Sequence, residues 1–139
     1  MKKILDKKTL LEIIAELRKN KKKIVLCHGV FDLVHYGHIL HFKSAKKIGD
    51  ILIVSITKDK FIKKGIGRPV FNETQRLDYL NEIKIIDYIY LCESESAEDS
   101  IKLIKPDFSD IRKKQDFFWN DIPDEYINRF LNYYKNDNK

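Results

Sequence analysis

All four histidines of the chain fall between positions 28 and 41. Two of them, His35 and His38, lie three residues apart in the stretch HGVFDLVHYGH, which spans residues 28–38. At that spacing both imidazoles can face one side of a helical turn. There they can donate hydrogen bonds to phosphate oxygens and stabilise charge that develops in a transition state. Asp32 is placed to orient an imidazole or to serve a bound metal ion. The stretch therefore predicts chemistry on a phosphorylated ligand.

The two glycines of this stretch support the same prediction. A β-prone run at 23–27 precedes the stretch, and a helix is predicted to begin near Tyr36. The carboxyl end of a strand and the start of the next helix are where α/β sheets bind ligands, and the free N–H groups there attract phosphate. Gly29 lets the backbone pass close to a ligand. Gly37 leaves room for one, because a side chain there would occupy the cleft.

Two other interpretations of the histidines compete with this one. A histidine pair three residues apart also occurs in zinc sites, but the sequence places no third and fourth ligand nearby at a familiar spacing. Histidines can also fill a helix start without catalytic work, and that is the commoner role of a single one. The joint pattern with two glycines and an aspartate favours the functional interpretation.

Composition indicates one ordinary globular domain. The chain has 139 residues, of which 43% are hydrophobic and 35% are charged, enough to bury a real core. No apolar run approaches the roughly 18 residues of a membrane span. The opening MKKILDKKTLLEII mixes charged and apolar residues and does not resemble a signal peptide. We therefore expect a cytoplasmic protein that does not contact a membrane.

Charge and cysteine content exclude further classes. The net charge is +6, with lysines in blocks, but no interleaving of aromatic and basic residues indicates a nucleic-acid surface. Most of these lysines are expected on a solvated face. Cys27 and Cys92 lie far apart in apolar segments, which is typical of buried, reduced thiols and not of a disulfide or a metal pair.

Alternating strands and helices must position the histidines. An amphipathic helix is predicted to open at the capping box Thr9–Glu12 and to close near Asn20. The other predicted elements are strands at 23–27, 51–56 and 87–91, and helices at 36–48 with Gly49 as the stop, at 72–83, and from Ser96 to before Pro106. This alternation requires right-handed crossovers and predicts an α/β fold with an open parallel sheet flanked by helices.

The stretch at 29–38 resembles the G-x-F-D-x-x-H-x-G-H signature of the cytidylyltransferase-like nucleotidyltransferase superfamily. This superfamily includes glycerol-3-phosphate cytidylyltransferases and the adenylyltransferase domain of bifunctional heptose-phosphate enzymes. The resemblance continues in the family's order and spacing over roughly the first three quarters of the chain. It is carried by the segments Ala45–Asp50, Thr57–Asp59, Gly67–Val70, Gln75–Arg76, Ile86–Tyr88 and Ile104–Asp107.

This resemblance implies a Rossmann-like nucleotidyltransferase fold over residues 1–139. The implied reaction transfers CMP or AMP from CTP or ATP to a small phosphorylated acceptor, such as a sugar phosphate or glycerol phosphate, and releases pyrophosphate. The implied catalytic residues are His35, His38, Lys63 and Lys64. The histidines would bind phosphate and stabilise the transition state, and the lysines would neutralise the triphosphate or the incoming phosphate.

Further roles follow from the same resemblance. Arg76 and Asp59 are implied to bind substrate. Arg76 has the alternative role of an ion pair that holds its helix, and Asp59 that of holding the loop with Lys63 and Lys64. Mg²⁺ is expected with the triphosphate, mainly on nucleotide and water ligands. The run at 66–71 looks more like the sugar-phosphate adenylyltransferase branch, while the choice between CTP and ATP stays open. The implied nucleotide-binding residues are Gly29, Val30, Phe31, Asp32, His35, Gly37 and His38.

After Asp107 the sequence departs from the family pattern. The family continues into a further strand with a K-G-x-D or M-G-x-D turn, and a later I-S-T-T-type run holds the nucleotide phosphates. Here residues 108–114 read FSDIRKK, neither motif follows, and the further strand is expected to be missing. Residues 1–107 thus form a family-like core and residues 108–139 a divergent tail.

Three interpretations of this departure stay open. The chain can be an active nucleotidyltransferase whose tail supplies substitutes such as Arg112, Lys113 or Lys114. It can be a catalytically impaired nucleotide- or phosphate-binding module, or a partner-binding domain. Retention of both histidines, both motif glycines, the loop that carries Lys63 and Lys64, and Arg76 argues against the third interpretation. We favour the first.

The tail itself is predicted to contain a docked helix. Pro123 suits a first helical turn, and an apolar stripe of helical spacing follows it. Such a stripe can cover the sheet or pair two subunits, and since the resembling family is commonly dimeric we expect a homodimer. The stripe consists of Tyr126, Ile127, Phe130, Leu131 and Tyr134.

Overall fold

The fold is an open parallel sheet. The computed structural model describes residues 3–62, 69–94 and 97–110. Within them, five strands pair in the order β1-β4-β3-β2-β5, and every pairing is parallel. The strands are β1 (Ile4–Leu5), β2 (Ile24–Gly29), β3 (Ile51–Thr57), β4 (Tyr88–Cys92) and β5 (Phe108–Ser109).

Four helices connect these strands. They are α1 (Lys7–Lys19), α2 (Tyr36–Ile48), α3 (Glu73–Asn81) and α4 (Ala97–Ile104), and a short 3₁₀ turn covers Asp59–Phe61. Strand and helix alternate along the chain, so each parallel pairing of successive strands needs a crossover through a helix. The predicted α/β class with a Rossmann-like parallel sheet is confirmed.

The helices cover both faces of the sheet. Side chains of a strand alternate between faces, and β2 divides accordingly between two hydrophobic clusters. Val25 and Cys27 pack in one cluster with residues of α2 and α3. Ile24 and Leu26 pack in the other with residues of α1 and α4. Burial on both faces explains why the central strands are almost continuously apolar.

Of two predictions about helix ends, one is wrong and one is confirmed. The capping box at Thr9 is wrong: α1 begins earlier, and Asp6 caps it by accepting the Thr9 N–H at 2.7 Å. Gly49 does end α2, but with extended backbone at φ −130° and not as a left-handed cap. Glycine is needed there for space, because a Cβ would lie 2.7 Å from Val25 Cγ2 and 2.9 Å from the Lys23 carbonyl oxygen.

The expectation that no further strand follows Asp107 is also wrong. Phe108 and Ser109 form β5, which pairs with β2 at Val25 and Leu26. Two residues show no periodicity, so neither this strand nor the equally short β1 could be predicted from the sequence pattern.

Several predictions fall outside the described residues. They concern Ser96 as a helix cap, the lysines at 63 and 64, and the whole tail from position 111, including its basic residues and its apolar stripe. None of the helices in the described part of the chain is long and apolar enough to cross a membrane.

Candidate active site

Two imidazoles cap the helix that follows β2. His35 is the N-cap of α2, with extended backbone, and its Nδ1 accepts the Gly37 N–H at 3.0 Å. His38 reaches back, and its Nδ1 accepts the His35 N–H at 3.1 Å. This reciprocal arrangement is a capping box built from two histidines in place of the usual hydroxyl and carboxylate side chains. The spacing that suggested a phosphate site therefore also serves the helix start.

The capping bonds fix the tautomer of both rings. A ring nitrogen that accepts a hydrogen bond carries no proton, so each neutral imidazole carries its proton on Nε2. The two ring centroids are 4.2 Å apart. Two N–H donors are thereby held together at a helix N-terminus, where the helix dipole favours an anion. This arrangement suits phosphate oxygens, which only accept hydrogen bonds.

Both imidazoles are neutral near pH 7. The pKa of His38 is lowered to about 3, mainly by burial and to a smaller extent by the neighbouring His35 and His41. Burial also lowers the pKa of His35. The edge of the Phe31 ring packs against the His38 ring at 5.6 Å between centroids. The histidines therefore act as neutral hydrogen-bond donors and not as preformed cations.

The backbone between β2 and α2 is held in an unusual conformation. Phe31 has φ 51°, in the left-handed region that costs a side-chain-bearing residue about 1–2 kcal/mol. The Tyr79 hydroxyl, on α3, contacts the carbonyl oxygens of both Phe31 and Asp32. Burial of the Phe31 ring and this contact stabilise the turn, so the conformation of the signature stretch depends on α3.

Asp32 holds a second segment against the turn. Its two carboxylate oxygens accept the backbone N–H groups of Val70 and Phe71 at 2.7 and 2.8 Å. Only 3% of Asp32 is exposed. These contacts give Asp32 a positioning role, in which it fixes the approach to α3 beside the histidines, a role that neither predicted alternative included.

Arg76 contacts the segment after β2, the end of β3 and the segment before α3 from inside the fold. Its guanidinium is completely buried and donates to the carbonyl oxygens of Val30 at 2.9 Å, Thr57 at 2.8 Å and Phe71 at 3.1 Å. It also forms an ion pair with Asp59, with 2.6 Å between Nη2 and Oδ1. These contacts match the alternative interpretation, an ion pair that holds its helix. Direct contact of Arg76 or Asp59 with a substrate stays a prediction.

Asp59 connects the end of β3 to the start of α3. Its N–H donates to the Glu73 carboxylate at 3.0 Å, and its own carboxylate accepts the Glu73 N–H at 3.1 Å. The predicted lysine loop lies between these two residues in the chain. Asp59 therefore anchors both flanks of that loop, in agreement with the local holding role expected for it.

His28 does not join the pair at the helix start. Its Nδ1 lies 2.5 Å from Ser55 Oγ, and Nε2 lies 3.4 Å from Thr57 Oγ1. Burial lowers the pKa of His28, against the opposing effect of Asp110. Since neighbouring positions on β2 alternate between faces, His28 lies on the α1/α4 side of the sheet. It is a partly buried histidine whose ring contacts hydroxyl groups of β3.

An apolar cleft of about 450 Å³ adjoins His35. Its size is within the range of small-molecule sites. It lies between α2 and α3, next to the imidazole pair, and can receive the non-phosphate part of a ligand. Its lining residues are Leu33, Val34, His35, Tyr36, Ile39, Phe71, Tyr79 and Ile83.

Comparison with known proteins identifies similar chains. A family model described as Cytidylyltransferase-like matches residues 26–137. The chain is 40% identical over 108 residues to Bifunctional protein HldE of Campylobacter jejuni, and 36% identical over 100 residues to the protein of that name from Nitratiruptor. These alignments cover 76% and 70% of this chain but only 23% and 22% of the relatives. The chain thus spans less than a quarter of the length of these curated relatives.

A solved structure supports the same grouping. The lipopolysaccharide core biosynthesis protein from Thermoplasma volcanium superposes with a TM-score of 0.59 at 28% sequence identity. The superposition covers 78% of this chain and 88% of the other. The two proteins therefore share their fold over most of the length of each.

Proposed function

Because the chain belongs to the cytidylyltransferase-like family, we propose that it transfers CMP or AMP from CTP or ATP to a small phosphorylated acceptor. One observation supports this most directly. Two neutral imidazoles, His35 and His38, hold their Nε2 protons at the N-terminus of α2, immediately after the carboxyl end of β2. In an open parallel sheet this is the position for a nucleotide phosphate.

The reaction mainly requires that the protein position the acceptor phosphate against the α-phosphorus of the nucleotide. A phosphate oxygen of the acceptor attacks the α-phosphorus and forms a new P–O bond. The bond from that phosphorus to the bridging oxygen breaks, and pyrophosphate leaves with the electron pair. The two imidazole donors and the helix N-terminus would bind the phosphate oxygens on which negative charge increases. No covalent intermediate with the protein is needed.

We propose that Mg²⁺ enters with the triphosphate. The carboxylate of the signature stretch, Asp32, is engaged by two backbone N–H groups. The two imidazoles at the helix start present N–H donors, which suit phosphate oxygens and not a hard cation. The ion would thus be held by nucleotide and water oxygens, as is usual for Mg²⁺, and it would neutralise part of the triphosphate charge.

We further propose a sugar phosphate as the acceptor, in the formation of a cell-envelope precursor. The sequence run at 66–71 resembles the sugar-phosphate adenylyltransferase branch. The similar Thermoplasma volcanium protein is described as acting in lipopolysaccharide core biosynthesis. We also propose that the reaction takes place in the cytoplasm, because these substrates are cytoplasmic. The homodimer expected from the tail is likewise a proposal.

A second candidate function keeps only the binding step. The sequence lacks the I-S-T-T-type run expected for the second half of the phosphate site. A chain without this run can bind nucleotide at the imidazole pair and still fail to turn it over.

Pyrophosphate release distinguishes the two. Each of CTP and ATP is combined with a panel of phosphorylated acceptors and Mg²⁺, and calorimetric titration measures binding in parallel. The matched control is His28→Asn, which changes a histidine of the same stretch on the opposite face of the sheet. Release that is lost in His38→Ala and kept in His28→Asn supports transfer. Binding without release supports the second candidate, and neither binding nor release contradicts both.

A further inference from the structure

Three metal-ligating side chains converge beside β2, away from the imidazole pair. Cys27 lies on β2, His41 on α2, and Asp110 directly follows β5. One ligand atom from each lies within 4.8 Å of the others. Cys27 is completely buried, His41 is 2% exposed, and the Asp110 side chain is 11% exposed. Only the folded chain brings these positions together.

The backbone positions the three side chains close together. Pairing of β5 with β2 places Asp110 next to Cys27, and the Asp110 N–H donates to the Leu26 carbonyl at 3.2 Å. One carboxylate oxygen of Asp110 accepts the His28 N–H at 3.1 Å. The other oxygen lies 2.9 Å from Nε2 of His41. Cys27 faces the same side of the sheet, where α2 packs.

We propose that Cys27, His41 and Asp110 form a zinc site whose fourth ligand is water. Thiolate, imidazole and carboxylate together favour Zn²⁺ over Mg²⁺ or Ca²⁺, which take oxygen ligands alone. Tetrahedral zinc bonds set neighbouring ligand atoms about 3.3 to 3.6 Å apart. The His41 and Asp110 atoms at 2.9 Å are already close to that separation, and the thiol needs a shift of about an ångström.

The site would have a defined structural consequence. It joins the central strand β2, the helix α2 and Asp110, which directly follows β5. His41 lies one helical turn beyond His38, so a metal there also fixes the helix that carries the phosphate donors. Zinc would thereby hold the start of the tail beside the nucleotide site. This proposal does not rest on the proposed function, because it concerns different side chains.

Metal titration of the full chain tests the site. The protein is treated with a chelator, dialysed, and titrated with Zn²⁺ and separately with Co²⁺. We expect one equivalent of either metal, a higher melting temperature with Zn²⁺, and a thiolate-to-cobalt charge-transfer band in the near ultraviolet. Cys27→Ser should remove the band and His41→Gln should weaken binding at least tenfold. Cys92→Ser, which changes the other buried cysteine, should keep both the cobalt band and the binding affinity.

Several results would overturn the proposal. Failure of the folded wild-type chain to bind a stoichiometric metal would leave His41 and Asp110 as a hydrogen-bonded pair. Binding that persists in Cys27→Ser and His41→Gln but disappears in His35→Asn would place the metal at the imidazole pair. Loss of the cobalt band in Cys92→Ser would assign the thiolate elsewhere. If Cys27→Ser does not fold, Asp110→Asn and the wild-type cobalt spectrum decide the question.

Discussion

Replacement of His35 by asparagine separates its two roles. The imidazole caps α2 through Nδ1 and offers a phosphate donor through Nε2. Asparagine is among the best N-cap residues, since its side-chain oxygen accepts the same kind of backbone N–H. Its short side chain cannot reach where Nε2 lies. His35→Asn therefore keeps the cap and loses the donor, whereas His35→Ala loses both.

The two variants should differ in stability but not in activity. Loss of an N-cap costs about 1 kcal/mol, which lowers the melting temperature of a domain of this size by about 4 °C. That loss is expected for His35→Ala and not for His35→Asn. Loss of one transition-state donor reduces turnover about 100- to 1000-fold, and both variants should show it.

Thermal melts and pyrophosphate release measure the two effects separately. Each variant is compared with wild type at equal protein concentration, and calorimetry with the accepted nucleotide shows whether ground-state binding also falls. Wild-type turnover in His35→Asn would refute the donor role and reduce His35 to a helix cap. A melting temperature of His35→Asn as low as that of His35→Ala would refute the capping argument.

Three further predictions concern other parts of the molecule. Burial lowers the pKa of His38 to about 3 against about 6.5 unfolded, so stability is lost as the pH falls between these values. The free energy of unfolding of the wild type should fall between about pH 7 and about pH 5 by about 2 kcal/mol more than that of His38→Asn. An equal fall in both proteins would contradict this. Arg76→Lys should lower the free energy of unfolding in urea by about 3 kcal/mol, because three carbonyl groups lose their guanidinium donor. Unchanged stability with lost activity would instead indicate that Arg76 contacts the substrate. Removal of residues 121–139 should lower the melting temperature or convert a dimer to a monomer in light scattering, and no change in either would show the tail to be dispensable.

Local patterns predicted the elements that carry the site. The helix expected at 36–48 has those bounds as α2, because apolar periodicity and the flanking glycines act within a few residues. Asn72 caps α3 as predicted, through a capping box with Gln75. The longer strands follow from continuous apolar runs. The helix and its caps depend on contacts between near neighbours in the chain, and the strands are marked by their own apolar runs; a sequence displays both directly.

Long-range contacts explain what the sequence could not show. Asp32 binds backbone groups almost forty positions later, and Arg76 binds the carbonyl groups of Val30, just after β2, and of Thr57, at the end of β3. The family resemblance assigns both to ligand binding, because the sequence does not display the partners that lie far along the chain. The partner of His41 was equally hidden, since Asp110 reaches it only through the pairing of the two-residue β5 with β2.

Three histidines on or at the start of α2 show why spacing alone does not assign a role. His35, His38 and His41 follow one another at intervals of three, so the pattern treats them alike. The first two accept backbone N–H groups on Nδ1, which leaves the proton on Nε2 and makes each ring a donor to anions. His41 instead directs Nε2 towards a carboxylate and lies beside a thiol. The partners that the fold gives to the ring nitrogens therefore distinguish the three side chains: backbone N–H groups for His35 and His38, and a carboxylate for His41.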